Sequence, residues 1–406
     1  MRFVFLLLIV LAALALLELA FTAEPKADTK PVWEEGAIVK CDGLTVSLSR
    51  PRLVARRSGF LWFPTFHHFG DKHLMAVMSN YADEAREFPT ALVTYSEDGG
   101  LTWSVPEEGA YSECAITLGN GDTILLPYYL QFQSETMLVG PYQWLRRGEK
   151  KWKIEATGVE VTGWPRKVGR LPNELGNPKP EWKLGSFVFN GQGVRSKDGK
   201  NHLATLYGRF VGDKRYSLVI AESTDARTWK VRSVIADATC KLKGGEGPCE
   251  SALVRLKDER LLCVYRLDSG VPYGHSFSDD DGKTWSEPKA MDGPQSVQPS
   301  LAVSPNGILA LSGGRPGLKL WLNKKGDASQ WGSIDLAAHH NAFVKDEPIT
   351  KAEVLFDSNT SAYTEVRWLD AQHFLVMYDR LANGWKAIPS DSKLTNSVWV
   401  VRGKVE

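Results

Sequence analysis

From Trp62 onward the chain repeats one arrangement: a short apolar run, a turn rich in Gly, Asp or Asn, then a second apolar run ending on a polar or aromatic residue. It occurs six times, over residues 62–78, 113–129, 193–209, 250–266, 299–315 and 363–379, with starts about 50 to 80 residues apart. Apolar runs this short, punctuated by turn formers, predict β-hairpins rather than helices. Within a unit the first strand descends, turns near its middle, as at Lys257-Asp258-Glu259-Arg260, and the second strand climbs back. Residues sixteen apart therefore meet at one end of the hairpin. A third and a fourth strand follow, over 273–278 and 283–288 in the fourth unit. Segments 37–49 and 396–402 also read as strands, and an N-terminal strand is expected to complete the last unit. The prediction is an all-β chain, a six-bladed β-propeller with four-stranded antiparallel blades, forming a single domain over residues 24–406. Residues 134–182, with basic and proline-rich stretches, depart furthest from the spacing and are expected to elaborate the second blade and its crossing to the third.

A second repeat lies inside the first. Ser96-Glu97-Asp98-Gly99-Gly100-Leu101-Thr102-Trp103 and Ser278-Asp279-Asp280-Asp281-Gly282-Lys283-Thr284-Trp285 share one pattern, and Ser223-Thr224-Asp225-Ala226-Arg227-Thr228-Trp229 is a shortened copy. Ser and Asp hydrogen-bond backbone groups inside a turn, Gly supplies positive φ, and Thr-Trp resumes a strand. This pattern is the Asp-box, and by it the chain resembles the sialidase (neuraminidase) superfamily, whose propellers carry such BNR repeats. The strand directions put these turns at the sheet ends opposite the positions where the repeat units start and finish. They are read as structural.

Composition narrows the setting. The chain opens Met1-Arg2, runs apolar from Phe3 to Leu17 and turns polar from Glu24. Residues 1–23 read as a signal peptide, or as an uncleaved membrane anchor, which predicts an exported protein, secreted, periplasmic or lumenal. Lys and Arg number 49 against 48 Asp and Glu, a net charge of +1, so no nucleic-acid partner is indicated. Of the five cysteines, Cys240 and Cys249 bracket a Gly/Pro-rich loop and are candidates for a disulfide, while Cys263 sits in an apolar strand. His67-His68 and His339-His340 are adjacent pairs; strand neighbours point to opposite faces, so no metal site and no cofactor is expected. Asn359-Thr360-Ser361 fits a glycosylation sequon.

The candidate chemistry gathers where the units start and end. Glu250 and Arg266 open and close the fourth unit, Arg315 closes the fifth in Gly314-Arg315-Pro316, and Tyr363 opens the sixth in Ala362-Tyr363-Thr364. The sialidase resemblance implies a nucleophilic tyrosine activated by a glutamate, and arginines that hold a substrate carboxylate. Carried onto this sequence, Tyr363 is the nucleophile, Glu250 its base, and Arg266 and Arg315 the clamp. The logic is physical. A sialic acid carries a carboxylate at its anomeric carbon and repels an anionic nucleophile, so a tyrosine serves, and with an unperturbed pKa near 10 it needs a base. Arginines grip carboxylates through paired, charge-assisted hydrogen bonds. A general acid is expected on residues 80–89; the resemblance favours Asp83, with Glu84 and Glu87 as rivals.

One element is missing. The family pattern has an arginine two residues before a proline at the start of the first unit, where this chain has Trp62-Phe63-Pro64. Trp62 either stacks on a sugar ring or fills the centre, and Arg56 or Arg57 is a possible substitute from upstream. The leading expectation is an exo-glycosidase that removes terminal sialic acid or a related acidic sugar from a glycan with retention. The alternatives are a non-catalytic carbohydrate-binding or interaction module, and a glycosidase for another acidic or sulfated sugar.

Overall fold

Five of the six repeated hairpins form where the apolar runs place them, and the third is shifted along the chain. The computed structural model describes residues 31–70, 72–87, 89–147, 149, 152–171, 183–351 and 358–406. The segment read as a signal peptide lies outside the described residues, as do residues 172–182 of the long irregular stretch. Glu34–Glu406 form one compact unit.

Three sheets are the expected four-stranded antiparallel meanders. The first holds Trp62–His68, Leu74–Ser79, Thr90–Ser96 and Glu107–Ala110. Another holds Cys249–Arg255, Leu261–Arg266, Pro272–Ser278 and Lys289–Gln295, its last strand beginning later than the sequence suggested. The third holds Ser300–Val303, Leu309–Gly314, Leu318–Asn323 and Gly332–Asp335. The registers Cys249↔Arg266 and Leu261↔Ser278 put the ends of the repeat unit at one edge of the sheet and the Ser278–Trp285 turn at the other.

The expectation of six separate four-stranded blades fails. The described residues form five sheets, because the second and third units share one sheet of nine strands. Within it Tyr129–Ser134 pairs with both Leu184–Arg195 and Met137–Leu145. Lys153–Thr162 runs parallel to Thr228–Ala236 at Glu160↔Thr228. Seven of the nine strands thereby close on themselves. The physical reason lies in residues 134–162, which form two long strands of 9 and 10 residues. Their edges would leave backbone donors and acceptors open, and pairing across to the third unit satisfies them. The shift in the third hairpin has a local cause. Ser196 accepts from the Asn201 amide at 2.9 Å and Asp198 from the Lys200 amide at 3.1 Å, so the turn sits at 196–201. Gly193 therefore lies near the turn, while Gly208 faces Phe187 at the far end.

The chain ends meet as expected. Leu44–Ser49 and Arg52–Arg57 both pair with Asn396–Val405, which continues through His373–Arg380 to Thr364–Trp368 in a six-stranded sheet. Apolar side chains of this sheet, Val366, Phe374, Val376 and Val401, are buried against Leu318, Leu320 and Leu322 of its neighbour. The one described α-helix, Leu336–Phe343, is capped by Asp335, whose side chain accepts from the Ala338 amide. It carries the pair His339-His340, which the sequence had suggested for a strand. His339 bonds the Ser49 carbonyl at 2.9 Å, and His340 bonds Tyr378 at 3.1 Å and the Glu347 carbonyl at 2.8 Å. His67 similarly meets the Ser112 carbonyl and Gln192.

Both eight-residue turns close on themselves. Asp98 accepts from the Thr102 amide at 2.9 Å and Ser96 from the Gly100 amide at 2.8 Å, and Trp103 donates to the Gly100 carbonyl at 3.0 Å. Asp280 and Ser278 repeat the first two contacts at 2.8 and 2.7 Å. Ala226 stands at φ 58° in the shortened copy, where Gly99 has φ 76°, a left-handed position that glycine fills at less cost. A fourth turn of this kind escaped the sequence reading: Asn323 accepts from the Asp327 amide at 3.0 Å and Trp331 donates to the Ala328 carbonyl at 3.2 Å.

The proposed disulfide does not form. Cys240 and Cys249 are both free and buried, in different surroundings. Cys240 packs among Leu218, Leu253 and Tyr265, whereas the Cys249 thiol turns to Glu246 at 3.7 Å. Asn359 donates from its amide nitrogen to the Pro348 carbonyl at 2.8 Å and accepts at its oxygen from the Thr350 amide at 2.6 Å.

Candidate active site

Strands from all five of the described sheets end around one cavity of about 540 Å³, and four of those sheets carry the residues singled out by the sequence. Glu250 is the second residue of Cys249–Arg255 and Arg266 the last of Leu261–Arg266. Arg315 follows Leu309–Gly314, and Tyr363 precedes Thr364–Trp368. Asp83 and Glu84 come from the loop between Leu74–Ser79 and Thr90–Ser96. All six line the cavity. Three non-glycine residues at or beside it, Phe63, Arg315 and Ala362, hold positive φ of 49°, 53° and 61°. Such strain concentrates where side chains must be aimed.

The centre is a triad of contacts. Tyr363 donates its hydroxyl hydrogen to Glu250 Oε1 in a short hydrogen bond. Arg266 donates to Glu250 Oε2 at 2.8 Å and to the Tyr363 oxygen at 3.2 Å, and its other nitrogen reaches Glu246 at 2.7 Å and Ser269 at 3.2 Å. The Gln298 amide adds a 3.1 Å hydrogen bond to Glu250 Oε2. Glu250 and Arg266 are 7% and 9% exposed, so these contacts act with little screening. Burial pushes the Tyr363 phenol well above its ordinary range and Glu250 adds to this, while Arg266 and Arg315 oppose it. The phenol is therefore neutral at physiological pH, and its proton is directed at Glu250.

Arg315 differs from Arg266. It is 7% exposed, yet no carboxylate or hydroxyl among the described residues bonds its guanidinium. It lies over the rings of Trp385, at 4.9 Å, and Tyr363, at 5.7 Å. Loss of solvent pulls its pKa below the usual arginine value. A buried cation held by aromatic faces and facing a cavity is suited to an incoming anion.

The three acid candidates separate. Asp83 lines the cavity, and desolvation by the surrounding walls raises its carboxyl, with the Glu250 charge adding to the rise. Glu84 is tied to Arg86 at 2.7 Å, and Glu87 does not line the cavity but accepts from Gln131 at 3.4 Å.

Trp62 is 2% exposed and does not line the cavity. It packs on Phe60, Phe63 and Trp385 at ring distances of 4.8, 5.1 and 5.4 Å and donates to the Tyr81 carbonyl at 2.9 Å. It therefore underpins the loop that carries Asp83. Neither upstream arginine enters the cavity: Arg56 pairs with Glu347 at 2.9 Å and Arg57 bonds the Ser58 carbonyl at 2.9 Å.

Trp385, Arg209 and Glu113 are among the cavity residues that sequence reasoning passed over. Trp385 lies beyond the last repeat, and no pattern marks it. Arg209 and Glu113 carried a signal, since they end the third unit and open the second at the positions of Arg266 and Glu250. Glu113 accepts from Tyr111 at 2.6 Å and Asn190 at 2.5 Å, and burial pushes its carboxyl up to about 8. Asn190 in turn accepts from the Ser251 amide beside Glu250. Between its ordinary value of 4.5 and about 8, Glu113 is protonated when folded and ionised when unfolded. Rising pH therefore favours unfolding across that interval. Glu113→Gln is expected to lose less stability over it than the wild-type protein does. Denaturant titrations at the two ends check this; equal losses would contradict it.

No protein-family model and no curated protein matches the sequence. Solved structures do match in fold. A protein of unknown function from Dyadobacter fermentans aligns over 88% of this chain and 99% of its own at 15% identity, with a TM-score of 0.58. The NanB sialidase from Streptococcus pneumoniae aligns over 86% and 70% at 15% identity, TM-score 0.53. The α-L-arabinanase of Penicillium chrysogenum aligns over 86% and 98% at 12% identity, TM-score 0.54. The neighbours thus include glycoside hydrolases acting on different sugars, and at these identities the likeness is one of fold.

Proposed function

We propose that this chain is a retaining exo-glycosidase for a terminal acidic sugar, sialic acid or a relative. The observation that carries the reading is the Tyr363–Glu250 hydrogen bond beside Arg315, a buried guanidinium with no counter-ion among the described residues. Arg315 takes the substrate carboxylate. Arg266, already bonded to Glu250 and the Tyr363 oxygen, holds the pair in line and adds its charge to the carboxylate site. Tyr363 Oη bonds to the anomeric carbon as its proton passes to Glu250. The glycosidic bond breaks with its electron pair on the leaving oxygen, which takes the proton of Asp83. In the second half Asp83 deprotonates a water, the water attacks the anomeric carbon, and Tyr363 departs and recovers its proton from Glu250. Two inversions give retention. The raised pKa of Asp83 keeps it an acid to higher pH, which supports its choice over Glu84.

Hydrolysis of glycosides with terminal acidic or neutral sugars tests the reading, and a preference for neutral sugars would sink it. Asp83→Asn is expected to slow alkyl glycosides by about 10²-fold or more. It should also remove the alkaline fall of the pH–rate profile and spare kcat/KM of aryl glycosides, whose leaving groups need no proton, while their kcat falls because the second half lacks its base. The burial of Trp62 away from the cavity favours one second reading, a binding module without turnover. Tight binding of acidic glycans with no hydrolysis would establish that reading.

A further inference from the structure

The cavity contains a third arginine, which the proposed reaction does not use. Arg209 follows His202–Gly208 and lines the cavity with its guanidinium 4.6 Å from the centre of the Tyr216 ring. Its Nε is buried without a hydrogen-bond partner, and no ion pair engages it among the described residues. The carboxylates on that side are committed elsewhere. Glu246 is held by Arg266 at 2.7 Å, and Asp268 accepts from the Gly245 and Ser269 amides, both at 2.8 Å. Electrostatically Arg266 and Arg315 act on Tyr363 and Asp83, whereas Arg209 acts on Tyr216. The surrounding wall is aromatic: Tyr207 meets Tyr216 edge-on at 5.4 Å, and its hydroxyl lies 3.1 Å from that of Tyr128, which meets Tyr129 at 4.9 Å. Tyrosine rings with hydroxyls offer a sugar both an apolar face and polar edges.

We infer that this wall is a subsite for the sugar on the leaving-group side of the scissile bond, and that Arg209 selects a leaving residue bearing its own carboxylate or sulfate. The inference rests on the glycosidase reading, because it assigns the terminal acid to Arg315 and the second negative charge to Arg209. Two buried or half-buried guanidiniums that make no ion pair among the described residues, in one cavity, fit a substrate with two anionic groups better than one with a single charge. A charge-assisted hydrogen bond at Arg209 corresponds to about a ten- to hundredfold preference for the charged leaving residue.

The test is calorimetric binding and hydrolysis with six disaccharides. N-acetylneuraminic acid or glucuronic acid is the terminal sugar, linked to galactose, galactose 6-sulfate or galacturonic acid. Wild type should prefer one or both charged leaving residues by about ten- to a hundredfold, the two arms distinguishing sulfate from carboxylate. Arg209→Gln should erase the preference while leaving the galactose-linked probes unchanged, and Arg209→Lys should restore part of it. A wild type indifferent to charge on the second sugar, or a preference that survives Arg209→Gln, overturns the inference even if hydrolysis is found. A preference that depends on Arg209 with no hydrolysis upholds the subsite and overturns the glycosidase reading. Binding to none of the six overturns both.

Discussion

Tyr363→Phe should abolish turnover, by about 10³-fold or more, while acidic glycans still bind. The substitution deletes one oxygen, the atom that Glu250 and Arg266 both hold. The ring stays in place, because its packing on Phe63 at 4.7 Å does not involve the hydroxyl. In the proposed mechanism substrate affinity rests on Arg315, whose guanidinium lies 5.7 Å from the centre of the Tyr363 ring, and should change little. Steady-state kinetics against calorimetric affinity reads the split. A loss of binding equal to the loss of rate would mean that Tyr363 orients substrate rather than attacking it. Unchanged turnover would remove it from the mechanism.

Trp62→Ala should cost about 3–5 kcal/mol of stability and most of the activity. Its indole fills the space between Phe60, Phe63 and Trp385, and its N–H is the partner of the Tyr81 carbonyl. Removing it leaves a cavity under the Asp83 loop and an unbonded carbonyl, and frees Trp385, on which Arg315 rests. Trp62→Phe should retain most of the packing but not the hydrogen bond, and so recover part of the stability. Chemical denaturation of both variants checks the order. If Trp62→Ala lowered glycan affinity without loss of stability, the residue would be a sugar contact after all.

Much of the fold was legible because hairpins are local. Turn residues at fixed offsets between apolar runs mark 250–266 and 299–315 without reference to the rest of the chain, and the two strands of each unit do pair. The merger of the second and third units was not legible. It depends on the parallel pairing of Lys153–Thr162 with Thr228–Ala236, whose partners lie 68 residues apart at Glu160↔Thr228 and share no turn signal. Glu250, Arg266, Arg315 and Tyr363 were singled out by their places at repeat boundaries together with the family resemblance, and the structure brings all four to one cavity. Arg209 and Glu113 stand there too, but a lone arginine or glutamate at a boundary is visible only once the cavity shows what it faces. Trp62 was recognised as a departure. Its role followed from a direction the sequence does not encode, since the indole points beneath the floor of the cavity.

The sheet that joins the two ends of the folded region also sets an order of assembly. Arg57 pairs with Asn396, and Trp399 with Leu53, across more than three hundred residues. Non-local pairings of this kind form late, after the entropy of a very long loop has been overcome. Tyr363 stands one residue before an outer strand of that same sheet. The strand that follows Tyr363 pairs locally with His373–Arg380, and this hairpin reaches the N-terminal strands only through Asn396–Val405. A nascent chain would therefore hold Glu250 and Arg266 in a formed sheet well before it could bring the tyrosine to them.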